Sequence, residues 1–563
     1  MEESEILKIT VKNAIEHGGR ANSGAVFSKV AGSDKSILKD LKSAKALIEK
    51  VVSEVNSKTP EDVANMAEDL GIELNEKPKE QKLELKALPN VDRQVILRLP
   101  PEPSGYMHLG HAFSFMINYL YKEKYNGKLW LRFEDTNPKL LDRVKEFVKA
   151  FEDGIAWLGI KWDEEKFISS DIETMYSYAE KLIKESKAYM CLCSAEEIKD
   201  KRLSGEECVH RQNAQVENLK LWNSAKNGEI GEGGAVLRLK LDMKNKNSSL
   251  RDPNIFRIIK SEKSRYSLWP LYHFANVIED QMCGVTHILR SNEFNTDEQE
   301  KIRTALGLRN PTVLQYGRYN LKGTTLSKRL IRQFIKDGLL EDWNDIRCPT
   351  VSAIRRRGIQ PEAIRDFVIT VGYSGSQHEY SWDLLFTLNR RIIDEKAKRF
   401  FFVSRPAKLY VSNGGKRDAK LQFHPLKNSG FRLIKTNGNF LIDEKDFSDL
   451  KVGDKVRLKD LYTIQINELK DGIANAEMIS ESMLGGEKIV QWVTDENLKT
   501  EVSIVGQMLN EDGTFNKDSL KVVNGLAERA VGLLNEGDII QFERFGFCRL
   551  DNKEKNSFIY ISR

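Results

Sequence analysis

The chain has 563 residues, 40% hydrophobic and 30% charged, which excludes a disordered or fibrous polymer. At roughly 150 residues per domain, that length implies about three to five domains. Lys and Arg total 88 against 83 Asp and Glu, a net charge of +5, so a polyanionic partner such as nucleic acid is permitted without being demanded. No apolar run reaches the roughly 18 residues of a membrane helix, so no membrane partner is expected. Six cysteines are too sparse for a disulfide scaffold. The opening Met-Glu-Glu-Ser-Glu also lacks the character of a secretion signal, so the expectation is a cytoplasmic protein.

Residues 1–85 read as a helical N-terminal extension. Ile37, Leu38, Leu41, Ala44, Leu47, Ile48 and Val51 recur at three- and four-residue steps, the spacing of one buried helical face. The charged stretch Asn75-Glu76-Lys77-Pro78-Lys79-Glu80-Gln81-Lys82 reads as a linker.

The pattern then changes. Val95–Leu99 is a short β-forming run that stops at Pro100-Pro101-Glu102-Pro103-Ser104-Gly105. Leu109–Lys124 has helical spacing, Gly127 ends that helix, and Lys128–Phe133 is a second strand. This is a β-α-β unit, so a parallel α/β sheet is predicted. A similar pattern returns at 268–318, with a helix through Phe274, Ile278 and Met282 and strands at Thr286–Leu289 and Val313–Gln315. The intervening cysteine-bearing stretch reads as an insertion into one nucleotide-binding fold. Residues 340–400 are helical again. Beyond about 405, short apolar runs punctuated by Gly, Asn and Asp predict an all-β module of barrel type.

The chemistry starts where the first strand ends, at His108-Leu109-Gly110-His111 on a helix start. Ligands of open α/β folds bind beyond strand carboxyl ends, and a helix N-terminus offers free N–H groups to phosphate. Two histidines three residues apart can hydrogen-bond a phosphoryl transition state there. Gly110 leaves room for a flat base.

Pro101-Glu102-Pro103-Ser104-Gly105-Tyr106-Met107-His108-Leu109-Gly110-His111 resembles the first signature of class I aminoacyl-tRNA synthetases, in the glutamyl/glutaminyl subgroup. Thr325-Leu326-Ser327-Lys328-Arg329 stands where that family has Lys-Met-Ser-Lys-Ser, departing at the first and last residues, with Lys322 and Arg329 as nearby cations. Arg132–Pro138, Trp269–Asn276 and Gly284–Arg290 resemble further blocks of the subgroup, while Arg251-Asp252-Pro253, Arg356–Arg365, Glu16–Asn22 and the β-rich C-terminal part resemble its archaeal and eukaryotic branch.

The resemblance implies a multidomain α/β plus β protein with a Rossmann-like parallel-sheet catalytic domain. Its halves would be 86–140 and 261–335, split by an acceptor-end insertion at 141–260. A helical connecting domain at 336–404 and a β-barrel anticodon-binding region at 405–563 would follow. It implies ATP-dependent attachment of L-glutamate to tRNA(Glu) by a monomer, with tRNA(Gln) or glutamine as alternative substrates and Mg²⁺ on the ATP. His108, His111 and Lys328 are the implied catalytic residues, with Pro103, Ser104, Gly110, Leu326 and Ser327 on ATP. Arg98, Glu134, Tyr272, Asn276 and Arg290 are the implied amino-acid contacts. An arginine fork at 290 suits a carboxylate and would be left unpaired by an amide, which favours glutamate. Cys191, Cys193, Cys208 and His210 form a Cys-x-Cys … Cys-x-His set whose three thiolates and one imidazole suit a closed tetrahedral Zn²⁺ site. A small nucleotidyltransferase could share the histidine loop but needs neither the insertion nor the β module. The intact His108, His111 and Lys328 oppose a tRNA-binding paralogue without catalysis.

Overall fold

The computed structural model describes residues 3–16, 21–33, 41–58, 60–70, 85–140, 142–293, 296–372, 378–425 and 429–563. The chain divides into two units, Met1–Glu84 and Leu85–Arg563. Helices Glu3–Glu16, Ser23–Ser33, Leu41–Asn56 and Pro60–Asp69 make up the described part of the first unit. Their inward faces meet in a core that includes Val11, Val26, Val30, Ile48, Val51 and Val55. Asn56 clamps the backbone of Ala21 from both sides, accepting its N–H at 2.7 Å and donating to its carbonyl at 3.0 Å. Ile37 and Leu38 of the expected helical face, His17–Arg20 and the 75–82 linker lie outside the described residues.

The second unit is built on parallel strands. Ile96–Leu99, Lys128–Phe133 and Glu164–Phe167 pair in that order, with helices Leu109–Lys124 and Val144–Trp157 as crossovers. His287–Ser291 pairs in parallel with Thr312–Tyr316. One residue splices the two sets. Thr286 donates its N–H to the carbonyl of Ile96 at 3.0 Å and accepts the Ile96 N–H on its hydroxyl at 2.9 Å. All the strand carboxyl ends thereby open on one side, delivering the loop after Leu99, Glu134, Arg290 and Arg318 to one crevice.

Three expected boundaries move. Glu164–Phe167 lies inside the stretch read as insertion, yet it hydrogen-bonds to Trp130–Phe133 and belongs to the parallel sheet. Its residues, Glu-Glu-Lys-Phe, carry the charge of an edge strand, which hides the β pattern. The inserted layer is an antiparallel sheet of Ala188–Cys191, Val236–Leu239, Asn254–Ile258 and Leu268–Pro270, so it runs past 260. The β region also starts before 405, because Lys398–Phe400 pairs with Ile540–Phe542 and Phe402–Val403 pairs with Leu526–Ala527. From there to the end, the chain forms two seven-stranded sheets and a separate hairpin, Arg417–Gln422 with Phe431–Thr436.

Between strands Asn497–Val505 and Leu520–Glu528, the chain reaches back to the helix Lys328–Lys336. Met508 is buried against Ile331, Phe334 and Leu340, and Phe515 meets Phe334 edge-on at 5.0 Å. Leu509 donates its N–H to the carbonyl of Gly323 at 3.0 Å. Gly323 has φ +67°, and a Cβ there would lie 2.7 Å from the Gln507 side chain, so only glycine fits this crossing. Met508→Ala leaves a cavity between the arm and the helix and is expected to cost about 2–5 kcal/mol. Urea denaturation of the full chain measures it, and an unchanged midpoint would show that the arm does not support the helix.

Candidate active site

The two signature loops touch. Lys328 opens the helix Lys328–Lys336, and its ammonium donates to the Ser104 hydroxyl at 3.0 Å. Ser104 in turn donates to the Glu102 carboxylate at 2.7 Å. Gly105 and Gly110 permit this approach. A Cβ on Gly105 would come within 3.0 Å of the Lys328 stem, and one on Gly110 would meet His108 and Leu326 at 3.0 Å each.

His108 is the N-cap of the helix Leu109–Lys124. Its N–H donates to Nδ1 of His111 at 3.2 Å, and the two rings stack with centroids 3.8 Å apart. Leu109 donates its N–H to the Pro349 carbonyl and Val351 donates to that of Met107, so the loop is held against residues 349–351. Burial, with Lys328 and Arg318 nearby, takes His108 down to about 3, and burial with His108 nearby takes His111 well below its usual value. Both rings are therefore neutral at pH 7. As neutral rings they can offer hydrogen bonds, and the positive charge beside them comes from Lys328 and Arg318.

These groups open into a cavity of about 560 Å³. At one end are His108, Gly110, His111, Leu326 and Lys328, with Arg318; at the other are Arg98, Glu134, Tyr272 and Arg290. The remaining expected residues stand behind the wall. Pro103 is buried in its loop, and Ser104 acts on Lys328. The Ser327 hydroxyl caps its helix by accepting from the Leu330 N–H at 3.4 Å. Asn276 is fully buried and donates to Glu134 at 2.7 Å. Lys322 and Arg329 do not line this cavity.

Glu134 follows the strand Lys128–Phe133 directly and accepts hydrogen bonds from the Thr136 hydroxyl and the Asn276 amide. Burial raises its pKa to about 7, against the pull of those bonds and of Arg132. Arg290, on strand His287–Ser291, donates to Gln299 at 3.0 Å and to Thr296 at 3.3 Å, both neutral oxygens. Burial and Arg98 lower its pKa to about 10, so it remains a cation at neutral pH.

Asp280 was not singled out by the sequence reading, yet three guanidiniums depend on it. Arg98 at 3.3 Å and Arg132 and Arg303 at 2.9 Å all contact its buried carboxylate. Burial opposes its charge, but Arg132, Arg98 and Arg303 hold its pKa below the usual carboxylate range. Arg132 also donates to Asn276 at 2.7 Å, which orients the amide toward Glu134. The available signal was the four-residue step from Asn276 to Asp280, which puts two polar groups on one face of the helix Tyr272–Met282.

In the inserted layer, Cys191, Cys193, Cys208 and His210 place one ligand atom each within 4.8 Å of one another. The sulfurs of Cys191 and Cys193 lie 3.5 and 3.4 Å from that of Cys208, and His210 Nδ1 is 3.2 Å from Cys208 and 3.6 Å from Cys193. A tetrahedron of Zn–S bonds of about 2.3 Å needs S···S edges of about 3.8 Å, so small outward shifts would bring these four groups to the spacing of a metal site.

The family described as tRNA synthetases class I (E and Q), catalytic domain, matches residues 94–395. The two families described as the anti-codon binding domain of the same class match residues 397–480 and 489–551. The chain is 36% identical to the glutamate–tRNA ligase of Pyrococcus furiosus, over 99% of this chain and 98% of the relative. It is also 36% identical to that of Methanocaldococcus jannaschii, over 99% of each. Identity to the Pyrococcus horikoshii glutamate–tRNA ligase is 38%, over 99% of this chain and 98% of the relative. Signature loops that meet at Ser104 and Lys328, a parallel sheet that opens on one crevice and this full-length similarity lead to one conclusion: the chain belongs to the class I tRNA synthetases of the E and Q subgroup.

Proposed function

We propose that this chain activates L-glutamate with ATP and transfers it to the terminal 2′-hydroxyl of tRNA(Glu). The observation that carries the choice of amino acid is the pair of groups at one end of the cavity: Glu134, a carboxylate suited to an α-ammonium, and Arg290, a buried fork suited to a second carboxylate. The substrate α-carboxylate is already ionised and needs no general base. What the protein supplies is alignment with the α-phosphate and stabilisation of the charge that spreads over it. Neutral His108 and His111 donate hydrogen bonds, and Lys328, held by Ser104, supplies the positive charge. Mg²⁺ carried by ATP neutralises the pyrophosphate.

Glutamine in the same pose would turn an amide toward the Arg290 guanidinium, which accepts no hydrogen bond. Arg290→Ala is expected to lower kcat/KM for glutamate by roughly 2–4 kcal/mol and to shrink discrimination against glutamine. Aminoacylation of tRNA with each amino acid, in wild type and variant, measures both; an unchanged glutamate-to-glutamine ratio would refute the assignment.

Amino-acid affinity should also follow the ionisation of Glu134. Its folded pKa is raised to about 7, so the group contributes stability below its unfolded value that is lost as pH rises through about 7. Substrate binding runs the other way, because only the carboxylate pairs with an ammonium. Between pH 8 and pH 6, affinity for glutamate should fall about tenfold, and Glu134→Gln should bind weakly at both values. A KM that is flat over this range in wild type would show that Glu134 does not hold the ammonium.

The Cys191, Cys193, Cys208 and His210 set is read as one structural Zn²⁺ site, because three thiolates and an imidazole fill a tetrahedron and leave no open position. Its role would be to hold together the turn that links strand Ala188–Cys191 to the segment around Cys208. Near one zinc per chain is expected by elemental analysis after purification without chelator, and Cys193→Ser should lower it. Metal-free protein with an unaltered thermal transition would leave these residues as ordinary thiols.

A further inference from the structure

A separate cavity of about 210 Å³ lies beside the turn that leads into the second signature loop. That volume falls below the roughly 300 Å³ of small-molecule pockets. It is ample for a single tetrahedral oxyanion. Arg357 lines it and is only 5% exposed. The Arg357 guanidinium lies 4.6 Å from the centroid of Trp382 and 5.5 Å from that of Phe386, and those two rings stack on each other at 5.7 Å.

Aromatic contact satisfies the face of a guanidinium and leaves its five N–H donors to be met along the edge. Among the described residues, no carboxylate lies within ion-pair distance of Arg357, and burial alone pulls its pKa down to about 10. Among the other buried arginines of this unit, Arg238 and Arg290 donate to neutral oxygens, and four others pair with a carboxylate. Arg98, Arg132 and Arg303 share Asp280, and Arg432 pairs with Glu528. An unpaired buried cation is costly, so a position that keeps one invites an anion.

The rim fits that need. Lys322 is exposed at the edge and has no resolved ion pair among the described residues. Ser381 caps the helix Trp382–Asp394 there, and the free N–H groups of a helix start favour negative charge. Arg347 is also in the wall but is already held by Asp345 at 2.9 and 2.6 Å. Asp383, the acidic group of the wall, is exposed and accepts from Ser381 at 2.8 Å. Trp382 donates to the Thr324 hydroxyl at 3.1 Å, so the aromatic platform under Arg357 also holds the turn ahead of Leu326–Lys328.

We propose that this cavity is a binding subsite for a phosphate-class oxyanion, outside the reaction cavity, with Arg357 as its fork and Lys322 as its rim cation. The same chemistry is presented by a phosphodiester of bound RNA and by free phosphate. The first source rests on the tRNA reading above, and the second does not.

Titration calorimetry of the full chain with inorganic phosphate tests the site without amino acid, ATP or RNA. Arg357→Met keeps the apolar stem against the rings and should weaken phosphate binding at least tenfold, and Lys322→Ala should weaken it several-fold. Lys322 is exposed, so its variant keeps the test decisive if Arg357→Met fails to fold. Phosphate affinity equal to wild type in the variants that fold would overturn the proposal. The salt dependence of tRNA binding then separates the sources. A log–log slope shallower by about one in the variants assigns an RNA phosphodiester, and an unchanged slope with lost phosphate binding assigns the free anion.

Discussion

One buried carboxylate organises the end of the cavity lined by Arg98, Glu134, Tyr272 and Arg290. Asp280 draws Arg98, Arg132 and Arg303 to a single point, and each guanidinium belongs to a different element. Arg98 is on the first strand, Arg132 on the second, and Arg303 on the helix after the fourth; Asp280 is on the helix before it. Burying several charges is expensive unless each is paired, and losing one partner of such a set costs about 3–5 kcal/mol. The cluster therefore fixes the relative placement of the two halves of the parallel sheet more stringently than apolar packing would. It also leaves cations in excess over carboxylates beneath that end of the cavity, a field that favours an acidic ligand.

The rest of the site follows from that frame. Arg132 reaches from Asp280 to Asn276, Asn276 turns its amide to Glu134, and Glu134 faces the cavity. At the opposite end, Lys328 is not left on a free loop. Ser104 and Glu102 hold its ammonium, and Gly105 and Gly110 give the two loops room to meet. Preorganisation of this kind matters because the reaction asks the protein to place charges rather than to transfer protons.

The legible parts of the sequence were those with strong local signals. The first strand, its proline-rich stop and the histidine helix follow from the spacing of Ile96–Leu99 and Leu109–Lys124, and the parallel arrangement follows from the β-α-β order. The clustering of Cys191, Cys193, Cys208 and His210 was visible because a Cys-x-Cys … Cys-x-His spacing is chemically distinctive. Strand Glu164–Phe167 was not, since an edge strand rich in charge carries no apolar alternation. Asp280 escaped notice because its importance is made by residues that are distant in sequence and converge only in the fold. The same holds for Arg357, one member of the run Arg355-Arg356-Arg357, which as sequence fits contact with RNA phosphate and a solvated helix face equally well. Arg355 is exposed, Arg356 pairs with Asp551, and Arg357 turns inward onto Trp382. Sequence spacing does not distinguish those fates.

The arm between strands Asn497–Val505 and Leu520–Glu528 bears on how separable the modules are. Its Met508 fills a seat in the catalytic half, and its Leu509 completes the hydrogen bonding of Gly323, five residues ahead of Lys328. A chain cut off before the C-terminal sheets would expose that seat to water and leave the Gly323 carbonyl without its donor, next to the second signature loop. The catalytic half is thus a structural dependent of the module it carries. Exchange of that module in evolution would have to bring a replacement for the arm along with any new mode of reading RNA.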